Sequence, residues 1–112
     1  MGRLMYDSTT AVDFDDRTLA HLQIVIGAKL RRGESFPFSW TIHATPHDEA
    51  RNSLWLAPDI PLHFTYYGSR RPVINIAWIL QLSALSNSSA GLRLIPEPPI
   101  DAEEPDRSST EG

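Results

Sequence analysis

Gly68-Ser69-Arg70-Arg71-Pro72 is the segment of this sequence best equipped for chemistry. A guanidinium offers a planar fork of N–H donors that matches phosphate or carboxylate. Proline suits the first turn of a helix, and a helix start leaves backbone N–H groups without partners. Ser69, Arg70 and Arg71 are therefore a candidate anion-binding corner at the mouth of a helix. The alternative is a strand-to-helix turn whose arginines pair with Asp15, Asp16 or Asp48. A second basic cluster is Lys29, Arg31 and Arg32. It either binds phosphate or offsets the negative end of a helix dipole.

Other chemistry finds little support. The chain has no cysteine, which removes thiol catalysis, thiolate metal sites and disulfides and fits a reducing cytoplasm. Its one lysine is Lys29. His43 and His47, with Asp48, have a spacing that holds zinc only on a helix, and a loop is expected there. Ser35, Ser39 and His43 do not make a nucleophile, base and orienter. No glycine-rich phosphate loop is present. No catalytic residue, metal ligand or cofactor is assigned.

Residues 1–96 carry nine bases and eight acids, whereas Glu97, Asp101, Glu103, Glu104, Asp106 and Glu111 face one base, Arg107. Residues 97–112 also hold three prolines and one large aliphatic residue, Ile100. Such a segment cannot offset its chain entropy by burial, so a disordered acidic tail is expected after a domain of residues 1–96. The N-terminus turns acidic at once, unlike a signal peptide. No apolar stretch approaches the ~18 residues of a membrane span. Both point to a cytoplasmic protein.

The elements that position these residues follow from periodicity. Leu4–Tyr6 and Ala11–Phe14 read as strands joined by a turn. Asp15 and Asp16 open a helix whose stripe is Leu19, Leu22, Ile26 and Leu30, and Gly33 stops it. Phe36, Phe38, Trp40 and Ile42 alternate on one face of a strand, with Pro37 marking an edge or bulge. After a loop at 44–50, Arg51–Leu56 and Ile60–Tyr66 read as two further strands. A second helix opens at Gly68–Pro72, with Ile74, Trp78, Leu82 and Leu85 as its core stripe, and Leu92–Ile95 is the last strand. The order is ββαβββαβ. It predicts an α+β two-layer sandwich, a mostly antiparallel sheet with two helices on one face.

That layout has two consequences. The two basic clusters fall at opposite ends of the helices, ~27 Å apart. Trp55, His63, Tyr67 and Arg93 share the uncovered sheet face, which either stacks single-stranded bases or is an ordinary amphipathic surface. On the second helix, Ile76, Ile79 and Leu80 lie away from the core stripe and form a candidate self-association patch.

The segments Asp15–Gln23, Ala28–Phe36, Gly68–Pro72 and Gly91–Pro98 resemble a family of small actinobacterial proteins of unknown function. Genome annotation often labels these "ATP-dependent DNA ligase". The resemblance implies that the label attaches here too, but it implies no demonstrated chemistry. Nucleotidyl transfer needs a lysine in a Lys-x-Asp-Gly setting, whereas Lys29 is followed by Leu30-Arg31-Arg32. The chain is also short for a nucleotidyltransferase domain with a DNA-clamping domain. The reading is a non-catalytic binding or regulatory module acting through protein contacts, as a homo-oligomer or with a protein partner. The alternative is a nucleic-acid-associated accessory factor.

Overall fold

In the computed structural model, which describes residues 2–45, 48–68 and 70–99, the chain opens with a hairpin. Strands β1 (Gly2–Tyr6) and β2 (Thr10–Phe14) pair antiparallel. Asp7 and Ser8 turn them with φ of 53° and 60°, two successive left-handed residues as a type I′ turn requires. Asp15 then caps helix α1 (Asp16–Arg31), its carboxylate accepting from the Thr18 N–H and hydroxyl at 3.1 and 2.7 Å. The predicted stripe is correct in kind: Leu19, Leu22, Val25 and Ile26 are buried. Gly33, at φ 75°, ends the helix as expected.

Strands β3 (Phe36–Thr45) and β4 (Asp48–Leu56) form a long antiparallel hairpin with a register shift near its tip. The loop expected at 44–50 is thus far shorter than the sequence suggested. Phe36, Phe38 and Trp40 point into the core, where Phe14 meets the rings of Phe38 and Trp40, but Ile42 is exposed. Strand β5 (Leu62–Tyr66) pairs with β1, helix α2 spans Ile76–Ser86, and β6 (Leu92–Arg93) runs parallel to β3.

The element order is the one predicted, ββαβββαβ, and the fold is α+β. The expected sheet is, however, two sheets, ordered β2-β1-β5 and β4-β3-β6. The cause lies between β4 and β5. Pro58 and Pro61 have no N–H for a ladder, and Ala57 accepts from Ile60 in a tight turn. The Pro61 carbonyl accepts from Asp7, delivering β5 to the free edge of β1 rather than back along β4. Both sheets contribute to one core, with Leu4 and Phe14 from the first and Phe38, Leu56 and Leu92 from the second, against Leu19, Leu22, Trp78 and Leu82 of the helices. The Tyr6 hydroxyl donates to the Trp55 carbonyl at 2.7 Å and ties the two sheets together.

Helix α2 begins later than predicted. Its N-cap is Asn75, whose side-chain oxygen accepts from the Ala77 and Trp78 N–H groups at 3.1 and 3.4 Å. Arg70 and Arg71 therefore lie outside the helix, in a stretch before it that is neither helix nor strand.

Candidate functional site: an arginine groove along the first helix

Besides its buried stripe, α1 has a second face. Arg17, Ala20, Ile24 and Arg31 fall within one narrow sector at 100° per residue. The segment from Tyr66 to Ile74 passes beside this face because α2 has not yet begun. Between them lies an open groove of about 760 Å³. Ala20, Ile24, Pro72 and Ile74 line it with apolar surface, and Arg31, Arg70 and Arg71 line it with charge.

This placement corrects two expectations. The two basic clusters do not stand apart, since Arg31 borders the same groove as Arg70 and Arg71. Nor do Lys29, Arg31 and Arg32 act together. Lys29 is buried, with its ammonium 2.6 Å from Glu34, 2.8 Å from the Asn87 side-chain oxygen and 5.6 Å from the centre of the Phe36 ring. It fastens the end of α1 to the start of β3 and the end of α2. Arg32 also leans on Glu34, at 3.3 Å. The two cations, Lys29 first, hold the Glu34 carboxyl below its ordinary range. Only Arg31 of the three turns to the groove.

Arg31, Arg70 and Arg71 are exposed and have no ion-pair partner among the described residues. Among the described residues the groove lining contains no carboxylate. Asp15 does not pair with Arg70 or Arg71, because its side chain is occupied as the α1 cap. Ser69 lies outside the described residues, as does His47, and the side chains of His43 and Asp48 are likewise not described. Among the described residues no cluster of three histidine or carboxylate side chains forms a metal site. Two residues of the lining are joined where Tyr66 donates to Gln23 at 2.7 Å, and burial raises the Tyr66 phenol above the ordinary value.

A polar network joins the start of α1 to the residues before α2 and to Glu97, and the sequence did not announce it. Arg17 holds Glu97 in a bidentate pair at 2.7 and 2.6 Å and donates to the Val73 carbonyl at 2.7 Å. The Asn75 amide donates to Glu97 and to the Pro98 carbonyl, both at 2.9 Å. Fully buried His21 accepts the Asn75 N–H on Nε2 at 2.7 Å. Its proton therefore sits on Nδ1, 2.7 Å from the Arg17 carbonyl that accepts it. The Arg17 hydrogen bond, then that of Asn75, lowers the Glu97 carboxyl to about 2. Glu97 and Pro98, the first residues of the expected tail, thus bond to Arg17 of α1 and to the cap of α2.

The proposed open face also separates. Trp55 lies on β4 and Arg93 on β6, outward on the same sheet and opposite Pro37 and Ser39 of β3. His63 and Tyr67 belong to the other sheet, with Tyr67 just beyond β5, so the four residues are not one platform. In that sheet the outward Arg3 pairs with Asp13 at 2.8 Å.

A family model described as a domain of unknown function (DUF7882) matches residues 1–97. The chain belongs to this family. No curated protein and no solved structure matches it. The family match ends at Glu97, the residue that completes the Arg17 pair, so Arg17, His21, Asn75 and Glu97 lie within the family domain and Pro98 just beyond it.

Proposed function

We propose that this domain is a non-catalytic binding module that holds an anionic segment of a partner in the groove between α1 and residues 66–74. One observation carries the reading: among the described residues, three arginines and no carboxylate line one groove with an apolar floor. Arginines are normally kept paired or dispersed, and a cluster left open above apolar surface suits a ligand with both charge and hydrocarbon. The chemistry of Lys29 supports the non-catalytic side of the proposal. A nucleophilic lysine needs an accessible amine, and this one is buried with its Nζ 2.6 Å from Glu34.

The test is fluorescence anisotropy at low salt with two labelled probes, an oligoglutamate peptide and a single-stranded oligonucleotide. Arg70→Ala with Arg71→Ala should weaken binding at least tenfold while Arg93→Ala leaves it unchanged. Binding should also fall steeply with salt. If neither probe binds at ~20 mM salt, the groove is not an anion site. The nucleic-acid reading rests on exposed Trp55 and Arg93 sharing one sheet face. It would be preferred if the oligonucleotide binds and Trp55→Ala and Arg93→Ala, rather than the groove variants, abolish it.

A further inference from the structure

Strand β5 is an edge of its sheet, where β1 is its neighbour on one side only. The register fixes which of its backbone groups face outward. One step beyond the Tyr6–Leu62 pair, the Asp7 N–H donates to the Pro61 carbonyl at 2.9 Å. Opposed residues of an antiparallel pair alternate between bonded and non-bonded. His63 and Thr65, opposite Met5 and Arg3, are therefore the residues that bond to β1. Leu62, Phe64 and Tyr66 turn their N–H and C=O groups to the free edge. Among the described residues none of these groups has a backbone partner.

A second groove, of about 440 Å³, lies beside that edge. Gly27 and Leu30 of α1, Pro58 and Pro61, and Leu62 and Phe64 of β5 line it. Gln23 and Arg31 line both this groove and the arginine groove, so the two adjoin along α1. Gly27 leaves room in the helix wall, because a β-carbon there would meet no side chain of another element within 4 Å. Leu62 and Phe64 pack against the core yet are only partly buried. A strand added to β5 would point every second side chain to the same side as these two, beside Gly27.

We infer that β5 accepts a further strand. An extended segment of the partner pairs with the free edge of β5, sets alternate aliphatic side chains in the groove beside Gly27, and brings its acids to Arg31, Arg70 and Arg71. This rests on the proposed function and deepens it by naming the partner's conformation and composition. Main-chain hydrogen bonds hold such a strand, and the apolar groove and the arginines select its side chains. A ladder of this kind needs the amides of a polypeptide, which nucleic acid lacks.

The experiment uses the full chain and two peptides with equal numbers of glutamates, oligoglutamate and an alternating Glu-Val sequence. At ~50 mM salt the alternating peptide should bind about tenfold more tightly, the gain from burying one aliphatic side chain. Gly27→Leu fills the groove, so it should remove that gain without lowering the melting temperature or the affinity for oligoglutamate. N-methylation of the alternating peptide at its glutamates or at its valines should abolish the gain in one case and spare it in the other, since only one set of amides faces β5. In the free chain the Leu62, Phe64 and Tyr66 amides should exchange hydrogen faster than those of His63 and Thr65, and saturating alternating peptide should slow them. Equal affinities with unslowed amides would overturn the added strand and leave the anion reading standing. Slow exchange at these amides in the dilute free chain would also overturn it, because the edge would already be paired. So would equal slowing by a single-stranded oligonucleotide. If the alternating peptide slows them while Arg70→Ala with Arg71→Ala changes neither affinity, the edge pairing stands and the anion reading falls.

Discussion

The Glu97 carboxylate answers directly to pH. Its proton affinity is depressed in the fold, from an ordinary 4.5 to about 2. The stability it contributes is therefore fully present above pH ~4.5 and is lost as pH falls toward 2. Glu97→Gln should lower the melting temperature at pH 7, and the gap to the parent should narrow steadily between pH 4.5 and 2. Thermal unfolding followed by circular dichroism at pH 7, 4 and 2.5 measures this, and a gap constant over that range would contradict the ion pair's role. Lys29 is the other residue whose charge is structural. Lys29→Met keeps much of the aliphatic stem but removes the ammonium from Glu34 and the Asn87 side chain. A loss of about 1–3 kcal/mol is expected in urea unfolding. A neutral substitution would show that Glu34 and Asn87 are equally well served by water.

Among the elements, α2 and β6 depend most on single residues. Asn75 both caps α2 and ties down Glu97 and Pro98. Asn75→Asp keeps the capping oxygen but exchanges the donor amide for a second carboxylate facing Glu97. Asn75→Ala loses the cap as well, about 0.5–2 kcal/mol by itself. The Asp variant should therefore recover stability at low pH, when the carboxylates protonate, and the Ala variant should not. Melting curves at two pH values separate them. Gly91 sits at φ 84°, and a β-carbon there would run into the Pro37 ring and carbonyl. This close approach lets β6 lie parallel beside β3, with Leu92 opposite Phe38. Gly91→Ala should cost roughly 1–3 kcal/mol from backbone strain and overpacking together. An unchanged urea midpoint would mean that β6 can move away from β3 without loss.

At the scale of the whole molecule, the exposed aliphatic surface is the open question. Ile76 and Leu80 are 64% and 65% exposed, one turn apart on α2, and Val73 just before the helix is 73% exposed. Ile79 departs from the expected patch, since it packs against the core. Burying each exposed aliphatic would contribute about 1.5–3 kcal/mol before the cost of association, and a two-fold pairing of α2 with itself is the simplest way to do so. Ile76→Glu with Leu80→Lys should give a monomer with the parent's circular dichroism. Light scattering that already finds the unmodified chain monomeric at high micromolar concentration would rule out this dimer. Among the described residues no helix is long and apolar enough to cross a membrane, so these residues do not mark a helical span.

The sequence by itself determined the element order, because helix and strand periodicities are local. Leu19, Leu22 and Ile26 recur with the helical period, Phe36, Phe38 and Trp40 with the strand period, and both sets are buried. The α1 cap at Asp15 and the stop at Gly33 were legible for the same reason, since a cap or a left-handed glycine acts within one turn. Arg70 and Arg71 could be singled out as candidate anion ligands from residue type alone, a reading that remains a proposal. Tertiary structure decided the rest. The partition into two sheets turns on which edge β5 finds, and a strand's alternation says which face is buried but not which neighbour it pairs with. Asn75 prevailed over Pro72 as the start of α2 because its cap is reinforced by His21, 54 positions earlier, and by Glu97, 22 positions later. That later start leaves residues 70–74 outside the helix and beside α1. It brings Arg31 to the same groove as Arg70 and Arg71, an encounter between side chains about forty positions apart that no local spacing encodes.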